Sequence, residues 1–286
     1  MNQKTLKTPL RYPGGKSRAI TKISQFFPDL TDFKEFREPF LGGGSVALWV
    51  TKQYPHLDIW VNDLYEPLAN FWSMLRTNSD EMTVSLTNYK KTHPDHDTAR
   101  ELFEEAKQTL ADNKKDKLNQ AIAFYIVNKC SFSGLSEASS FSKQASDSNF
   151  SMRGIEKLPE YSQIISHWHI NSYSYEYCFR TDVHDGLFMY LDPPYDIKDN
   201  LYGKSGAMHK SFDHDKFAAD CDEHNNINML ISYNSDQLVK DRFKNWSASE
   251  FKLTYTMRSV GEYMREQQER KELLLFNYKL GGVLDG

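Results

Sequence analysis

The segment LFMYLDPPY at 187–195 passes abruptly from apolar residues to Asp192-Pro193-Pro194-Tyr195. The prolines lack backbone N–H groups, so they end a sheet ladder and fix the backbone around them. The Asp192 carboxylate and the Pro193 carbonyl could then accept both hydrogens of a planar amine, while Tyr195 stacks on the ring that carries it. This arrangement favours transfer of a group to the amine nitrogen. The alternative is a strand that simply runs into a turn.

A glycine turn and an acid follow the two preceding apolar segments. The glycines at 42–44 permit close backbone approach to a ligand and expose the N-terminus of the next helix. Asp63 lies about 20 residues downstream, where an acid suits the two ribose hydroxyls of a nucleoside. The alternatives are a turn without a ligand and, for Asp63 with Glu66, a helix cap. Together, the turn and the acid predict a nucleoside-containing cofactor.

Short apolar segments bounded by turn residues predict the strands that position these groups. They alternate with segments of helical periodicity, which predicts an α/β sheet with crossover helices. Ligands of such sheets bind beyond the carboxyl ends of the strands, where the glycine turn, Asp63 and Asp192 all fall. The predicted strands are 36–40, 57–63, 167–178, 187–191, 227–233, 250–256 and 271–278, and the predicted helices include 17–28, 66–75 and 213–225.

Residues 76–128 are more polar and favour helix, so they predict a helical region inserted into the sheet. The following stretch, 131–154, is rich in serine and predicts an extended loop or hairpin. We therefore expect a sheet domain formed by 1–75 and 160–286, with a helical and loop domain at 76–159.

The 286 residues carry a formal net charge of −4, which gives no support to a strongly basic nucleic-acid-binding protein. The charge is nevertheless uneven, and two basic stretches are candidate phosphate contacts. Three cysteines without metal or disulfide spacing indicate buried residues in a reducing cytoplasm, and the scattered histidines predict no metal site. No apolar segment is long enough to predict a membrane span. The basic stretches contain Lys4, Lys7, Arg11, Lys16, Arg18 and Lys22, and Arg258, Arg265, Arg270 and Lys271.

The sequence contains four motifs in this order: RYPGGK at 11–16, REPFLGGGSVAL at 37–48, VNDLYEPLANFW at 61–72 and DPPY at 192–195. The same order is found in Dam-like (α-class) DNA adenine methyltransferases, a family that this sequence resembles. The segment 255–277 is also similar to the closing segment of that family. The resemblance implies a Rossmann-like S-adenosylmethionine-dependent methyltransferase sheet with a helical target-recognition insertion. It further implies methyl transfer to the N6 amine of adenine in double-stranded DNA.

The same resemblance assigns roles to single residues. Asp192 matches the catalytic acid and Tyr195 the stacking aromatic, with Pro193 and Pro194 between them. The segment NKCSFSG at 128–134 resembles the start of the hairpin that reads the target, although Ser136 to Asn149 contain no arginine for guanine readout. The residues matched to S-adenosylmethionine binding are Tyr12, Lys16, Phe40, Gly42, Gly44, Asp63, Tyr175 and again Asp192.

Other functions stay open at this point. The same chemistry could act on adenine in RNA or on the cytosine amine in DNA. A catalytically inactive DNA-binding relative is a rival of another class, although the intact Asp192-Pro193-Pro194-Tyr195 motif speaks against it. We expect a cytoplasmic, DNA-associated monomer or weak dimer from a bacterial or phage-infected cell. The sequence leaves open the recognised site and any restriction partner.

Overall fold

A computed structural model describes residues 7–12, 14–112, 116–132, 139–195, 212–253 and 270–280. Its centre is a seven-stranded sheet in the order β3-β2-β1-β4-β5-β7-β6. The strands β1 to β5 run parallel to one another, whereas β7 is antiparallel to both β5 and β6. The strands are β1 Glu35–Glu38, β2 Asp58–Asn62, β3 His169–Asn171, β4 Leu187–Leu191, β5 Asn228–Asn234, β6 Ser247–Leu253 and β7 Arg270–Phe276.

Helices connect and cover the strands, and several begin where the sequence provides a cap. Asp213 accepts a hydrogen bond from the backbone N–H of Lys216 (2.9 Å) at the start of α11, and Pro67 lies in the first turn of α3. The helices are α1 Ile20–Ile23, α2 Ser45–Gln53, α3 Glu66–Thr77, α4 Ser79–Thr92, α5 His96–Ala111, α6 Lys117–Cys130, α7 Lys143–Asn149, α8 Met152–Ile155, α9 Leu158–Ile164, α10 Glu176–Arg180, α11 His214–Glu223 and α12 Gln237–Arg242.

Both faces of the central sheet are buried, which explains why β4 reads as a continuous apolar run. Side chains alternate across a strand, so Phe188 and Tyr190 pack into one hydrophobic layer. Leu187, Met189 and Leu191 pack into the other. The alternation places helices on both sides of the sheet, as expected for an α/β fold. The three cysteines at 130, 178 and 221 are free and buried, as predicted.

The helical segment from α4 to α9 shares the hydrophobic layer on one side of the sheet. Its longest buried element, α6, packs against α3, where the Phe71 ring stacks on Tyr125 with centroids 6.0 Å apart. Phe124 contacts the same Phe71 ring at 5.7 Å. One continuous cluster of buried residues therefore runs from the sheet through α3 into α4, α5 and α6.

The strand predicted for 167–178 is correct only at its start. Backbone pairing ends after Asn171, because the Asn62 side chain binds the backbone of Tyr173 instead: its Oδ1 accepts from the N–H and its Nδ2 donates to the carbonyl, both at 2.9 Å. The chain then turns and forms α10. A side chain on the neighbouring strand thus replaces the ladder, and strand propensity within 172–178 is overridden.

The extended loop predicted for 131–154 is also partly wrong. Ser131 and Phe141 form an antiparallel bridge, as a hairpin would, with residues 133–138 outside the described ranges. Beyond it the chain is helical in α7 and α8. Ser142 and Ser151 cap these helices by accepting hydrogen bonds from backbone N–H groups three residues ahead. The helix predicted for 17–28 is broken into α1 and flanking 3-10 turns.

Gly44 offers a test of how the glycine turn is packed. Its φ is +67°, and a Cβ there would lie 2.7 Å from Cζ2 of Trp72. We expect Gly44→Ala to lower the free energy of unfolding by about 2–4 kcal/mol, because backbone strain adds to a steric clash with a buried ring. Denaturant unfolding measures the loss.

Gly186→Ala is the matched control, since Gly186 also has a positive φ of +92° but meets Lys34 only at ordinary contact distance, 3.5 Å. It should lose about 1–2 kcal/mol from strain alone. Equal losses in the two variants would contradict the packing of Trp72 on the turn.

Candidate active site

The carboxyl ends of β1, β2 and β4 lie side by side, and their side chains meet. Asp63, directly after β2, accepts hydrogen bonds from the backbone N–H of Gly42 at 2.9 Å and of Tyr65 at 3.0 Å. Asp63 is only 6 % exposed. Burial raises the pKa of its carboxyl to about 6, against the opposing effect of the two backbone hydrogen bonds. The carboxylate therefore ties the glycine turn after β1 to the end of β2.

A cleft opens at these strand ends and brings most of the predicted site residues together. Gly44, Tyr175 and Tyr195 are not among the described residues that line it. Those that do include Tyr12, Lys16, Phe40, Gly42, Asp63, Asp192, Pro193 and Pro194, together with Glu38.

Asp192 is held from two sides. The Lys16 ammonium lies 2.8 Å from each of its carboxylate oxygens. On the other side, the Ser232 hydroxyl donates to Oδ1 at 2.8 Å and also contacts the Tyr190 hydroxyl at 2.8 Å. The carboxyl group is thus fixed by an ion pair and a hydrogen bond as well as by the prolines that follow it.

Lys16 is buried at 3 % exposure, so its charge depends on its neighbours. Burial by itself lowers the pKa of a lysine, but the carboxylates of Asp192 and Glu272 outweigh it and hold the pKa well above its ordinary value. The ammonium also donates to the Gly14 carbonyl (3.1 Å). The prediction that Lys16 contacts a phosphate is wrong, because its charge lies inside the site.

Tyr195 lies beside the cleft and is fixed at both its hydroxyl and its ring. The hydroxyl accepts a hydrogen bond from Lys16 Nζ at 2.8 Å and donates one to Glu272. The ring stacks on Tyr233 with centroids 6.0 Å apart and planes 26° apart. The aromatic face predicted to hold a base is therefore oriented before a substrate binds.

Phe40 and Tyr175 form a stacked pair, 5.6 Å between centroids, at the other side of the glycine turn. Phe40 lines the cleft, whereas Tyr175 lies behind it and donates a hydrogen bond from its hydroxyl to Asp220 at 2.6 Å. Gly44 immediately precedes α2 and faces Trp72. Tyr175 and Gly44 thus support the cleft wall from behind.

Three residues of the site were missed in the sequence. Ser232 and Glu272 lie within apolar strands, and Glu38 lies within the REPF motif. Glu38 is buried and accepts a hydrogen bond from the Ala47 backbone N–H at 2.7 Å in the first turn of α2, while burial raises the pKa of its carboxyl well above the ordinary value. The signal for Glu272 was present, because an acid within a buried strand requires a partner.

Arg11, another predicted phosphate contact, has a structural role at its guanidinium. It donates to the carbonyls of Ser131 (2.6 Å) and Phe132 (3.1 Å), so it holds the start of the hairpin segment. Lys4, Arg258 and Arg265 lie outside the described residues. The part of the chain that the structure describes contains no group of three or more His, Cys, Asp or Glu side chains that could hold a metal ion. No helix within the described ranges is long and apolar enough to cross a membrane.

Residues 12–257 match the family model described as D12 class N6 adenine-specific DNA methyltransferase. The chain belongs to this family. The matched range contains the glycine turn, Asp63 and the Asp192-Pro193-Pro194-Tyr195 motif, and among the described strands it leaves out β7. The predicted Rossmann-like methyltransferase fold and the predicted adenine-specific DNA methyltransferase activity are thereby confirmed.

The chain is also similar, at low identity, to proteins named as Type II methyltransferases. It is 21 % identical to the Type II methyltransferase M1.LlaDCHI of Lactococcus lactis subsp. cremoris, with 97 % of each chain covered. It is 22 % identical to the Type II methyltransferase M.CviBI of Paramecium bursaria Chlorella virus NC1A, over 69 % of this chain and 72 % of the relative. The Type II methyltransferase M.MjaIII of Methanocaldococcus jannaschii is 23 % identical over 46 % of this chain and 47 % of its own.

The raised pKa of Asp63 predicts a pH-dependent stability. Its carboxyl binds a proton near pH 6 in the folded chain but only near pH 3.8 when unfolded, so between these values the proton stabilises the folded state. The free energy of unfolding should therefore fall as pH rises from about 4 to 7, by up to about 3 kcal/mol from this group.

Asp63→Asn removes the titrating group, so its free energy of unfolding should fall less steeply over the same pH range. Urea unfolding at a series of pH values measures both slopes. Identical slopes in the two proteins would contradict a buried, protonatable Asp63.

Proposed function

We propose that this methyltransferase uses S-adenosylmethionine to methylate the N6 amine of adenine in double-stranded DNA, with Asp192 as the acid that binds the amine. The observation that carries the proposal is that Asp192, Pro193 and Pro194 line the same cleft as Asp63 and the glycine turn. An acceptor for an amine and an acid for a nucleoside thus share one site.

The chemistry of the cleft residues fits S-adenosylmethionine. Asp63 uses one lone pair on each oxygen for a backbone N–H, and a carboxylate has about four, so it can still accept from ribose hydroxyls. Phe40 offers an aromatic face, and the absence of a side chain at Gly42 lets the Tyr12 ring lie against the turn, where an added Cβ would be 3.0 Å away. Tyr12, Lys16, Phe40, Gly42 and Asp63 would hold the cofactor, which supplies a methyl group bonded to a positively charged sulfur.

Asp192 and Pro193 would activate the amine by position. The lone pair of an aromatic amine is delocalised into the ring, so the nitrogen is a poor nucleophile. Two fixed acceptors, the Asp192 carboxylate and the Pro193 carbonyl, can bind both amine hydrogens and favour a tetrahedral nitrogen with an available lone pair. The nitrogen gains positive charge during transfer and loses one hydrogen as a proton, for which the Asp192 carboxylate is the nearby acceptor.

The target would be read by the helical domain at 76–159, attached to the catalytic domain formed by 1–75 and 160–286. Arg11 holds the start of the hairpin segment at Ser131, and Lys107 Nζ donates to the carbonyl of Ser139 at 3.2 Å, near the residue that pairs with Ser131. Phe132, at the start of the hairpin, is 55 % exposed. Both ends of the segment are thus anchored, and an aromatic ring at its start is available to a partner. We further propose a cytoplasmic monomer or weak dimer.

Asp192→Ala tests the proposed catalysis. We expect methyl transfer to fall by about 100-fold or more, because the fixed acceptor for the amine is lost. The assay follows a labelled methyl group into double-stranded DNA, with RNA as a parallel substrate, and identifies the methylated nucleoside.

Asp185→Ala is the matched control, since Asp185 is exposed and precedes β4, whereas Asp192 follows it. It should transfer methyl groups at the wild-type rate. Near-normal turnover by a folded Asp192→Ala protein would refute the catalytic role of Asp192. Label found by the wild-type assay in RNA or in cytosine would instead show that adenine in DNA is not the substrate.

Tyr195 should act through its ring. Tyr195→Ala is expected to lower methyl transfer by about 10- to 100-fold, the loss typical of one base-stacking contact. Tyr195→Phe keeps the ring but loses the hydroxyl contacts with Lys16 and Glu272, so it should stay within about 10-fold of wild type. Rates at saturating DNA and cofactor measure the series. Equal losses for the Phe and Ala variants would contradict the stacking role.

A further inference from the structure

The Lys16 ammonium contacts the same Asp192 carboxylate that would bind the target amine. It lies 2.8 Å from both carboxylate oxygens, and Ser232 already binds one of them. The carboxylate has about four lone pairs and three of them are already used, so a target amine competes with the ammonium for acceptor sites and binds best when the ammonium moves away. Lys16 is buried, so its charge cannot simply be transferred to water at that moment.

Glu272 is the second acid within reach of this ammonium. It lies on β7, is 1 % exposed, and its Oε1 is 3.3 Å from Lys16 Nζ. The same oxygen accepts the hydrogen bond from the Tyr195 hydroxyl. The longer distance shows that the resting ammonium is bound mainly to Asp192, with Glu272 as a weaker partner that could take it over after a small movement.

Given the function proposed above, we propose that Glu272 is a positioning residue that receives the Lys16 ammonium when the target amine binds Asp192. The lysine then keeps a counter-ion throughout, and the Asp192 carboxylate keeps its negative charge for the nitrogen that becomes positive. Because Glu272 also binds the Tyr195 hydroxyl, the shift leaves the stacking ring in place. Without Glu272, the ammonium stays on Asp192 and competes with the amine.

The test compares Glu272→Gln in two backgrounds. The substituted amide keeps an oxygen for the Tyr195 hydroxyl but has no charge for the lysine. In the otherwise wild-type chain the change should lower methyl transfer by about 10- to 100-fold, the range for a lost hydrogen bond between charged groups. In the Lys16→Met background the same change should cost less than about 3-fold, because the competing ammonium is gone. Equal losses in both backgrounds would overturn the proposal.

Binding provides a readout without turnover. The probes are two unmethylated duplexes with the DNA sequence that the wild-type enzyme methylates. One has adenine at the target position, and the other has purine, which lacks the amine. Wild type should prefer adenine. Glu272→Gln should lose most of that preference, and Lys16→Met/Glu272→Gln should regain it. If Glu272→Gln binds adenine over purine as strongly as wild type does, the proposal is overturned. The proposed function is judged separately, by whether the wild-type enzyme transfers methyl groups to adenine.

Controls separate these effects from misfolding. Glu250→Gln, on β6, keeps an oxygen for the Ser235 hydroxyl but removes the charge that pairs with Lys240 at the surface, and it should change neither readout. Thermal unfolding identifies any variant that does not fold. Glu272→Asp keeps the charge but withdraws it from Lys16 by one methylene, so it should lose part of the adenine preference, and a full preference in Glu272→Asp would also overturn the proposal.

Discussion

The ion pair between Lys16 and Asp192 joins two parts of the chain that are 176 residues apart. The lysine is buried and the acid half-buried, and burying a charge such as this ammonium costs on the order of several kcal/mol unless its partners satisfy it. Here the ammonium meets Asp192, Glu272 and the Tyr195 hydroxyl, so the N-terminal segment, the end of β4 and the last described strand must all be in place together. The fold of the site is therefore specified by one buried charge more than by any single element.

The sheet topology follows from the same requirement. The strand β7 enters antiparallel between β5 and β6, which brings Glu272 opposite Asn234 and next to the strand that carries Ser232. A sheet that added its strands in parallel order would leave this acid elsewhere. The antiparallel strand β7 thus places the Glu272 carboxylate beside Lys16, and β5 places the Ser232 hydroxyl beside Asp192. Residues from β5 and β7 therefore complete a site that also contains residue 16.

Local signals predicted the elements whose limits are set locally. The strand β4 was predicted with its observed limits because Gly186 and the Asp192-Pro193 pair bound an apolar run that is buried on both faces. The end of β3 depends on the Asn62 side chain, which lies 111 residues from Tyr173 in sequence. No pattern within 167–178 could therefore predict where this strand ends. The same holds for the site. Asp63 and Asp192 stand at strand ends, where a sequence motif marks them, whereas Glu272 and Ser232 acquire their roles only from neighbours brought by the sheet.

The formal charge of −4 is unexpected for a DNA-binding protein until the charges are placed in the structure. Glu35, Glu38, Asp63 and Glu272 are buried, against only two buried cations among the described residues, Lys16 and Arg37. The buried charged residues of the described ranges thus carry a formal net charge of −2, four acids against two cations, and burial raises the pKa values of Glu38 and Asp63, which favours their neutral forms. The surface that meets a polyanion is therefore less acidic than the composition implies. A sequence-based net charge treats catalytic and surface groups alike, so it underestimates the capacity of an enzyme with an acid-rich site to approach DNA.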